Sequence, residues 1–276
     1  MSRSDLLIRE ESNSPLIPPT TCGEIMPQIM PQAETNNYID PRERLIVALD
    51  LPDAELAGEI VEQLGEAVSF YKIGLQLLSS PEGFKLSKVL EEKQKNVFLD
   101  YKFSDIGNTI KNAVESVKRE SNVSLLTVMG DEEIVANASQ AALGTDLKIL
   151  AVTVLTTWTD EYIKQISSRY SLEGLVLQKA RIAKNAGAHG VIASAWEVEK
   201  LKKEFGKEFL VVTPGIRPKG AALDDQKRVA TPYDAISKGA DYIVVGRPIT
   251  KSDNPQDSAN KIIEEIVAGR DTYERS

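Results

Sequence analysis

The sequence predicts an α/β fold, a (β/α)8 TIM barrel in a single domain, and three observations carry that expectation. From Arg44 onward, short continuous apolar runs alternate with amphipathic stretches, eight of each, as strands buried on both faces and their crossover helices require. The chain has 276 residues, in keeping with one barrel of roughly 250. No Gly-rich turn follows the first strand at Asp50, which argues against the alternative, an open doubly wound sheet.

Taken in order, the strand candidates are 45–49, 68–73, 97–101, 123–128, 147–155, 190–193, 209–213 and 242–245. Each is a run of mainly β-branched, aliphatic and aromatic residues too short for a helix of ordinary length. Helical patterns lie near 53–65, 75–93, 108–119, 132–143, 158–187, 195–205, 232–238 and 255–268. Start signals mark several of them: Asp53 before Ala54-Glu55-Leu56, and Thr231 before Pro232. Residues 1–42 differ in kind, being rich in Pro, Ser, Thr, Asn and Gln, with a short repeat, Ile25-Met26-Pro27-Gln28 and Ile29-Met30-Pro31-Gln32. Prolines at that density oppose a helix and no strand alternation is visible, so 1–42 is expected to be a flexible extension and 43–276 the barrel domain.

Bulk composition narrows the function classes. Hydrophobic residues make up 42% and charged residues 27%, ordinary values for a chain with a sizeable core. The net charge of −8 argues against a general binder of nucleic acid or anionic membrane, although local Arg and Lys can still favour an anionic small molecule in one pocket. Cys22 is the only cysteine, so neither an intrachain disulfide nor a cysteine metal cluster is expected. No apolar run approaches the ~20 residues that span a bilayer. The N-terminus lacks the charged-then-apolar pattern of a secretory signal, and Glu10 and Glu11 oppose a transit peptide, so a cytoplasmic location is expected.

Chemistry-bearing residues collect at strand ends, where barrels of this kind place their active sites. Asp50 closes the first strand, Lys72 lies near the end of the second, and Asp100 and Lys102 end the third. Asp100 and Lys102 are two apart, so on a regular strand they face the same side, and Asp105 follows just past the strand end. The plainer reading is a salt-bridge cluster that only closes a strand. Ionisable residues of alternating sign on three consecutive strands favour a site instead. A second cluster runs from Thr213-Pro214-Gly215-Ile216-Arg217 through Lys219, Asp224, Asp225, Gln226 and Arg228, long for a βα loop and a lid candidate, against the plainer reading of a tolerated insertion. Gly246 and Arg247 end the eighth strand, where such barrels often bind phosphate: glycine admits close approach and arginine offers a guanidinium fork. His189, the one histidine, falls in a helix-to-strand turn at the opposite rim and reads as a surface residue, so histidine acid–base catalysis is not expected. Trp158 and Trp196 read as packing residues, and Thr156 and Thr157 as closing strand five on the charged rim.

The chain resembles the orotidine 5′-phosphate decarboxylase family across nearly all of 44–268. The resemblance rests on Val47-Ala48-Leu49-Asp50, Tyr71-Lys72-Ile73-Gly74, the run from Phe98 to Thr109, Thr213-Pro214-Gly215-Ile216-Arg217-Pro218 with Asp225-Gln226, and Val245-Gly246-Arg247-Pro248. It implies decarboxylation of orotidine 5′-monophosphate to uridine 5′-monophosphate, the last step of de novo UMP synthesis, without metal or organic cofactor. By the same resemblance, Lys102 is the general acid toward C6, Asp100 sits against the departing carboxylate, and Lys72 holds Asp100. Asp50 and Lys72 bind the ribose hydroxyls, Thr156 contacts the pyrimidine, and Arg217, Gln226, Gly246 and Arg247 make the phosphate and lid contacts. Asp105 and Thr109 reach into a neighbouring subunit's site, which implies a homodimer with shared active sites. The physical logic agrees: carbon dioxide loss leaves a poorly delocalised carbanion at C6, and flanking carboxylates favour a charged ammonium there despite burial. Two departures stand out: Val128-Met129-Gly130-Asp131, where relatives commonly carry His-Ala, and Gly107, where a proline is usual and whose turn is expected to be looser. Two other readings stay open at this point. One is a metal-dependent sugar-phosphate decarboxylase or aldolase of the same barrel group, similar to 3-keto-gulonate-phosphate decarboxylase or hexulose-phosphate synthase. The other is a non-catalytic sensor of a phosphate ligand.

Overall fold

Strands that are apolar on both faces need cover on both, and here the sheet closes on itself while helices wrap the outside. The computed structural model describes residues 39–166, 169–220 and 228–275. Along them run β1 (Leu45–Ala48), α1 (Ala54–Leu64), β2 (Phe70–Gly74), α2 (Leu75–Leu78), α3 (Pro81–Glu92), β3 (Asn96–Phe103), α4 (Gly107–Glu120), β4 (Leu125–Met129), α5 (Glu132–Ala142) and β5 (Lys148–Val152). Then follow α6 (Asp160–Ile166), α7 (Leu172–Asn185), β6 (Gly190–Ile192), α8 (Val198–Phe205), β7 (Leu210–Thr213), α9 (Pro232–Ser237), β8 (Tyr242–Val245), α10 (Arg247–Thr250) and α11 (Pro255–Glu274). The strands pair in parallel in sequence order and β1 closes the ring against β8, Leu45 opposite Ile243, so the fold is the expected (β/α)8 barrel.

Alternation along the strands sorts the core into two layers. Ile46, Ala48, Phe70, Phe98, Leu125, Leu150, Val152, Leu210, Val212 and Val244 fill the barrel interior. Their neighbours, such as Leu45, Val47, Tyr71, Leu99 and Val211, form the layer between strands and helices. That parity positions the site: two residues on from Ala48, Phe70 and Phe98 come Asp50, Lys72 and Asp100.

Several elements differ from expectation. The stretch 75–93 is two helices, because Pro81 at the first helical position disfavours helical backbone at Ser80, which is extended and caps α3 by accepting from the Gly83 N–H. The stretch 158–187 is likewise two helices, the second capped by Ser171. β5 stops at Val152, so Thr156 and Thr157 lie in the loop beyond it rather than closing the strand. Of the expected extension, residues 1–38 lie outside the described residues, and Pro41, in a 3-10 turn capped by Asp40, is already buried. Trp158 packs against the core as expected, whereas Trp196 is 61% exposed with Lys238 over its ring. No described helix is long and apolar enough to cross a membrane.

The rim at the strand N-termini is built for stability. His189 is exposed there, yet its Nδ1 accepts from the Ile149 N–H at 3.1 Å, and its own backbone bonds both Ile149 and Leu210. Nearby, the buried Lys202 donates to Asp241 Oδ2 (2.6 Å) and to the carbonyls of Lys207 and Phe209, while the Val211 N–H also donates to Asp241. Burial raises the Asp241 carboxyl above its ordinary range, against the pull of Lys202. Lys202 and Asp241 are thus tied to the backbone of the strand starts, and they serve the fold.

Candidate active site

At the other rim a cavity of about 420 Å³ opens over the barrel interior. Its floor is Ala48, Phe98, Val152, Ile192 and Val244, and its wall carries Asp50, Lys72, Asp100 and Lys102 on one stretch and Arg217, Gly246 and Arg247 on another. The four ionisable groups form an unbroken chain. Lys72 Nζ lies 2.8 Å from Asp50 Oδ1 and 3.4 Å from Asp100 Oδ2, and Lys102 Nζ donates to Asp100 Oδ1 at 2.7 Å. The Asp50 side chain is 53% exposed, while those of Lys72 and Asp100 are 9% and 14% exposed. Burial pushes the Asp100 carboxyl up, but the ammoniums of Lys72 and Lys102 and hydrogen bonds from Lys102 and Thr127 outweigh it, so Asp100 titrates below the ordinary carboxylate range.

Arg217 is 7% exposed; its N–H donates to the Ala230 carbonyl and its Nη1 to the Ile216 carbonyl, both at 2.9 Å. A bridge between Ile216 and Ala230 thus ties together the two ends of the β7–α9 loop. Arg228, beside that bridge, pairs with the buried carboxylate of Glu197, which burial raises above its ordinary range. Gln226 and Asp225 lie outside the described residues.

Comparison with known proteins supplies the family. The model of the orotidine 5′-phosphate decarboxylase / HUMPS family matches residues 43–262. The chain is 45% identical over 238 residues to the orotidine 5′-phosphate decarboxylase of Afipia carboxidovorans, covering 86% of this chain and 99% of that one. It is 46% identical over 226 residues to that of Nitrobacter winogradskyi, covering 82% and 93%. The crystal structure of the enzyme from Lactobacillus acidophilus superposes with a TM-score of 0.71 at 35% identity, over 81% of this chain and 99% of that one. The chain belongs to the orotidine 5′-phosphate decarboxylase family.

Within this family member, eight of the eleven residues to which the resemblance gives a role line this cavity: Asp50, Lys72, Asp100, Lys102, Thr156, Arg217, Gly246 and Arg247. Thr156 gets there from the β5–α6 loop. Asp105 and Thr109 do not line it. Both are exposed, as is Ile106, and Asp105 Oδ1 accepts from the Ile106 N–H at 2.7 Å. The expected loosening at Gly107 is corrected by the structure. The Gly107 N–H donates to Glu133 Oε1 at 3.2 Å, and a β-carbon there would press on Asn137 and lie 2.9 Å from Glu133 Oε1, so α5 holds the turn closely. At the other departure, Gly130 donates to the Val152 carbonyl (3.1 Å), and a β-carbon would stand 2.6 Å from that oxygen.

Two residues that contact the charged chain carry no role in the sequence reading. Gly74 ends β2, where a β-carbon would stand 2.6 Å from Asp50 Oδ1 and 2.9 Å from Lys72 Nζ, so a larger residue there makes the ends of those two side chains shift. Thr127, wholly buried in β4, donates to Asp100 Oδ1 at 2.9 Å. Its signal was a hydroxyl inside the apolar run Leu125-Leu126-Thr127-Val128, since a buried polar group needs a partner.

Proposed function

We propose that this chain decarboxylates orotidine 5′-monophosphate to uridine 5′-monophosphate and carbon dioxide, with no metal or organic cofactor. The observation that carries the reading is the continuous Asp50–Lys72–Asp100–Lys102 chain on the wall of a cavity that also holds Arg217 and Arg247. In this reading the phosphate is held by the two guanidiniums and the Gly246 backbone, and the ribose hydroxyls by Asp50 and Lys72. The pyrimidine lies toward Thr156, with its carboxylate against Asp100 and C6 toward Lys102. The bond from C6 to the carboxyl carbon breaks, the electron pair stays on C6, and carbon dioxide departs. Lys102 Nζ then gives its proton to C6 and regains one from solvent. Phosphate contacts remote from C6 supply binding energy that orders the site, with Gln226 in the closing loop.

The metal-dependent sugar-phosphate reading fits less well, because Lys72 stands between Asp50 and Asp100, the carboxylates such an ion would need. Exposure of Asp105, Ile106 and Thr109 outside the cavity supports their reaching a second subunit, so the proposal includes a homodimer with shared sites. A cytoplasmic location is part of the reading and rests on composition. The test is a spectrophotometric orotidylate assay on pure protein in excess chelator. Full turnover is expected; strict dependence on magnesium would favour the sugar-phosphate reading, and binding without turnover the sensor.

A further inference from the structure

The β3–β4 ladder is irregular where the chemistry sits. Leu99 pairs with Leu126 and Phe103 with Val128, so four steps on β3 oppose two on β4, a bulge with Thr127 facing it. Inside the bulge Lys102 takes a φ of +53°, a left-handed backbone uncommon for any residue but glycine. On a regular strand Lys102 would share the face of Asp100 by alternation alone; here its backbone has left the strand geometry and something else must define its place.

Thr127 supplies the missing contacts. The Lys102 N–H donates to Thr127 Oγ1 at 3.0 Å, in place of a ladder carbonyl. The Thr127 hydroxyl in turn donates to Asp100 Oδ1 at 2.9 Å, the same oxygen that receives Lys102 Nζ at 2.7 Å. A hydroxyl has one proton, and the ionised Asp100 claims it, so the lone pair is left for the amide and the direction of both bonds is settled. The result is a closed ring from the Lys102 backbone through Thr127 to Asp100 and back through the Lys102 side chain. Outside the ring, Tyr101 and Phe103 stack with centroids 4.6 Å apart, bracketing Lys102.

We infer that Thr127 is a positioning residue for the decarboxylation: its hydroxyl holds the Lys102 backbone and the Asp100 carboxylate in one register, so that ammonium and carboxylate meet the substrate together. The inference rests on the proposed function for its catalytic consequence and on geometry alone for the ring. Thr127→Val keeps shape and removes the hydroxyl, while Thr127→Ser restores it. The expected result is loss of hydrogen-exchange protection at the Lys102 amide in the valine chain and its return with serine. A kcat roughly 10²-fold lower should accompany it, the scale of an ångström-level misplacement, with KM nearly unchanged and recovery in Thr127→Ser. If the valine chain does not fold, Thr127→Ala is read against Thr127→Ser in the same way. Undiminished protection and wild-type kcat without the hydroxyl would overturn the inference, as would a serine chain no better than valine. Wild-type protein inactive on orotidylate would overturn the decarboxylase reading instead, and amide exchange would still decide whether Thr127 holds the ring.

Discussion

Replacing Asp100 by asparagine removes one charge from the middle of the Asp50–Lys72–Asp100–Lys102 chain and almost nothing else. In the native protein that carboxylate receives Lys102 Nζ at 2.7 Å and Thr127 Oγ1 at 2.9 Å, with Lys72 Nζ at 3.4 Å. At an effective dielectric near 20, each ammonium contributes on the order of 5 kcal/mol of gross attraction, offset by several kcal/mol for desolvating the carboxylate. Asp100 titrates below its ordinary value, so the ionised form is favoured on folding and the balance is net stabilising. Lys72 keeps Asp50, and Lys102, whose side chain is 30% exposed, can turn to water, so the loss stays at about 2 kcal/mol. That corresponds to a Tm lower by roughly 4–8 °C for a domain of this size. The sign also sets a pH window. A depressed carboxyl contributes fully above its ordinary pKa of 3.8 and loses that contribution as pH falls through the native value, so the gap between wild type and D100N should close in that acid range. On the chemistry, loss of the group that orients Lys102 should lower kcat/KM by about 10³ or more, ~4 kcal/mol of barrier. Thermal melts across pH and the orotidylate assay measure both effects. A D100N protein as stable as wild type at neutral pH, or turning over within tenfold of it, would refute the reasoning.

Other consequences follow from the same geometry. Gly74→Ala should fold, by circular dichroism, yet lose roughly 10- to 100-fold in kcat/KM, because its β-carbon pushes the ends of Asp50 and Lys72 from their present positions. His189→Ala should leave turnover unchanged and lower stability by about 0.5–1.5 kcal/mol through loss of the acceptor for the Ile149 N–H. Partial desolvation of the ring, with Lys148 nearby, lowers the His189 pKa from its ordinary 6.5 although the residue as a whole is exposed; its neutral form therefore stabilises the fold above that pH and the benefit fades below it, a dependence the alanine chain should lack. Lys102→Ala and Asp105→Ala proteins, each inactive alone, should regain activity when mixed and allowed to exchange subunits. No recovery after verified exchange would remove Asp105 from a shared site.

Much of this was legible because strands and helices carry their periods locally. The eight apolar runs of 45–245 are strands in the observed order, since a strand buried on both faces needs little beyond its own composition to declare itself. Element ends were less legible. Apolar spacing continues across Ser80-Pro81 and the 158–187 stretch, so periodicity merges helices that capping and proline geometry divide. The apolar run places Thr156 at the right rim but on the strand rather than the loop, because nothing local distinguishes the end of β5 from the loop after it.

By itself the sequence determined the barrel and the phase of its charges: Asp50, Lys72 and Asp100 continue the interior parity of Ala48, Phe70 and Phe98, and alternation brings them to one mouth. Tertiary structure alone decided the left-handed backbone of Lys102, the Thr127 hydroxyl beneath it, the clearance at Gly74 and the exclusion of Asp105 from the cavity. Those features depend on the register between strands and on how closely separate segments approach. Residues far apart in the chain set both, and no local period records them.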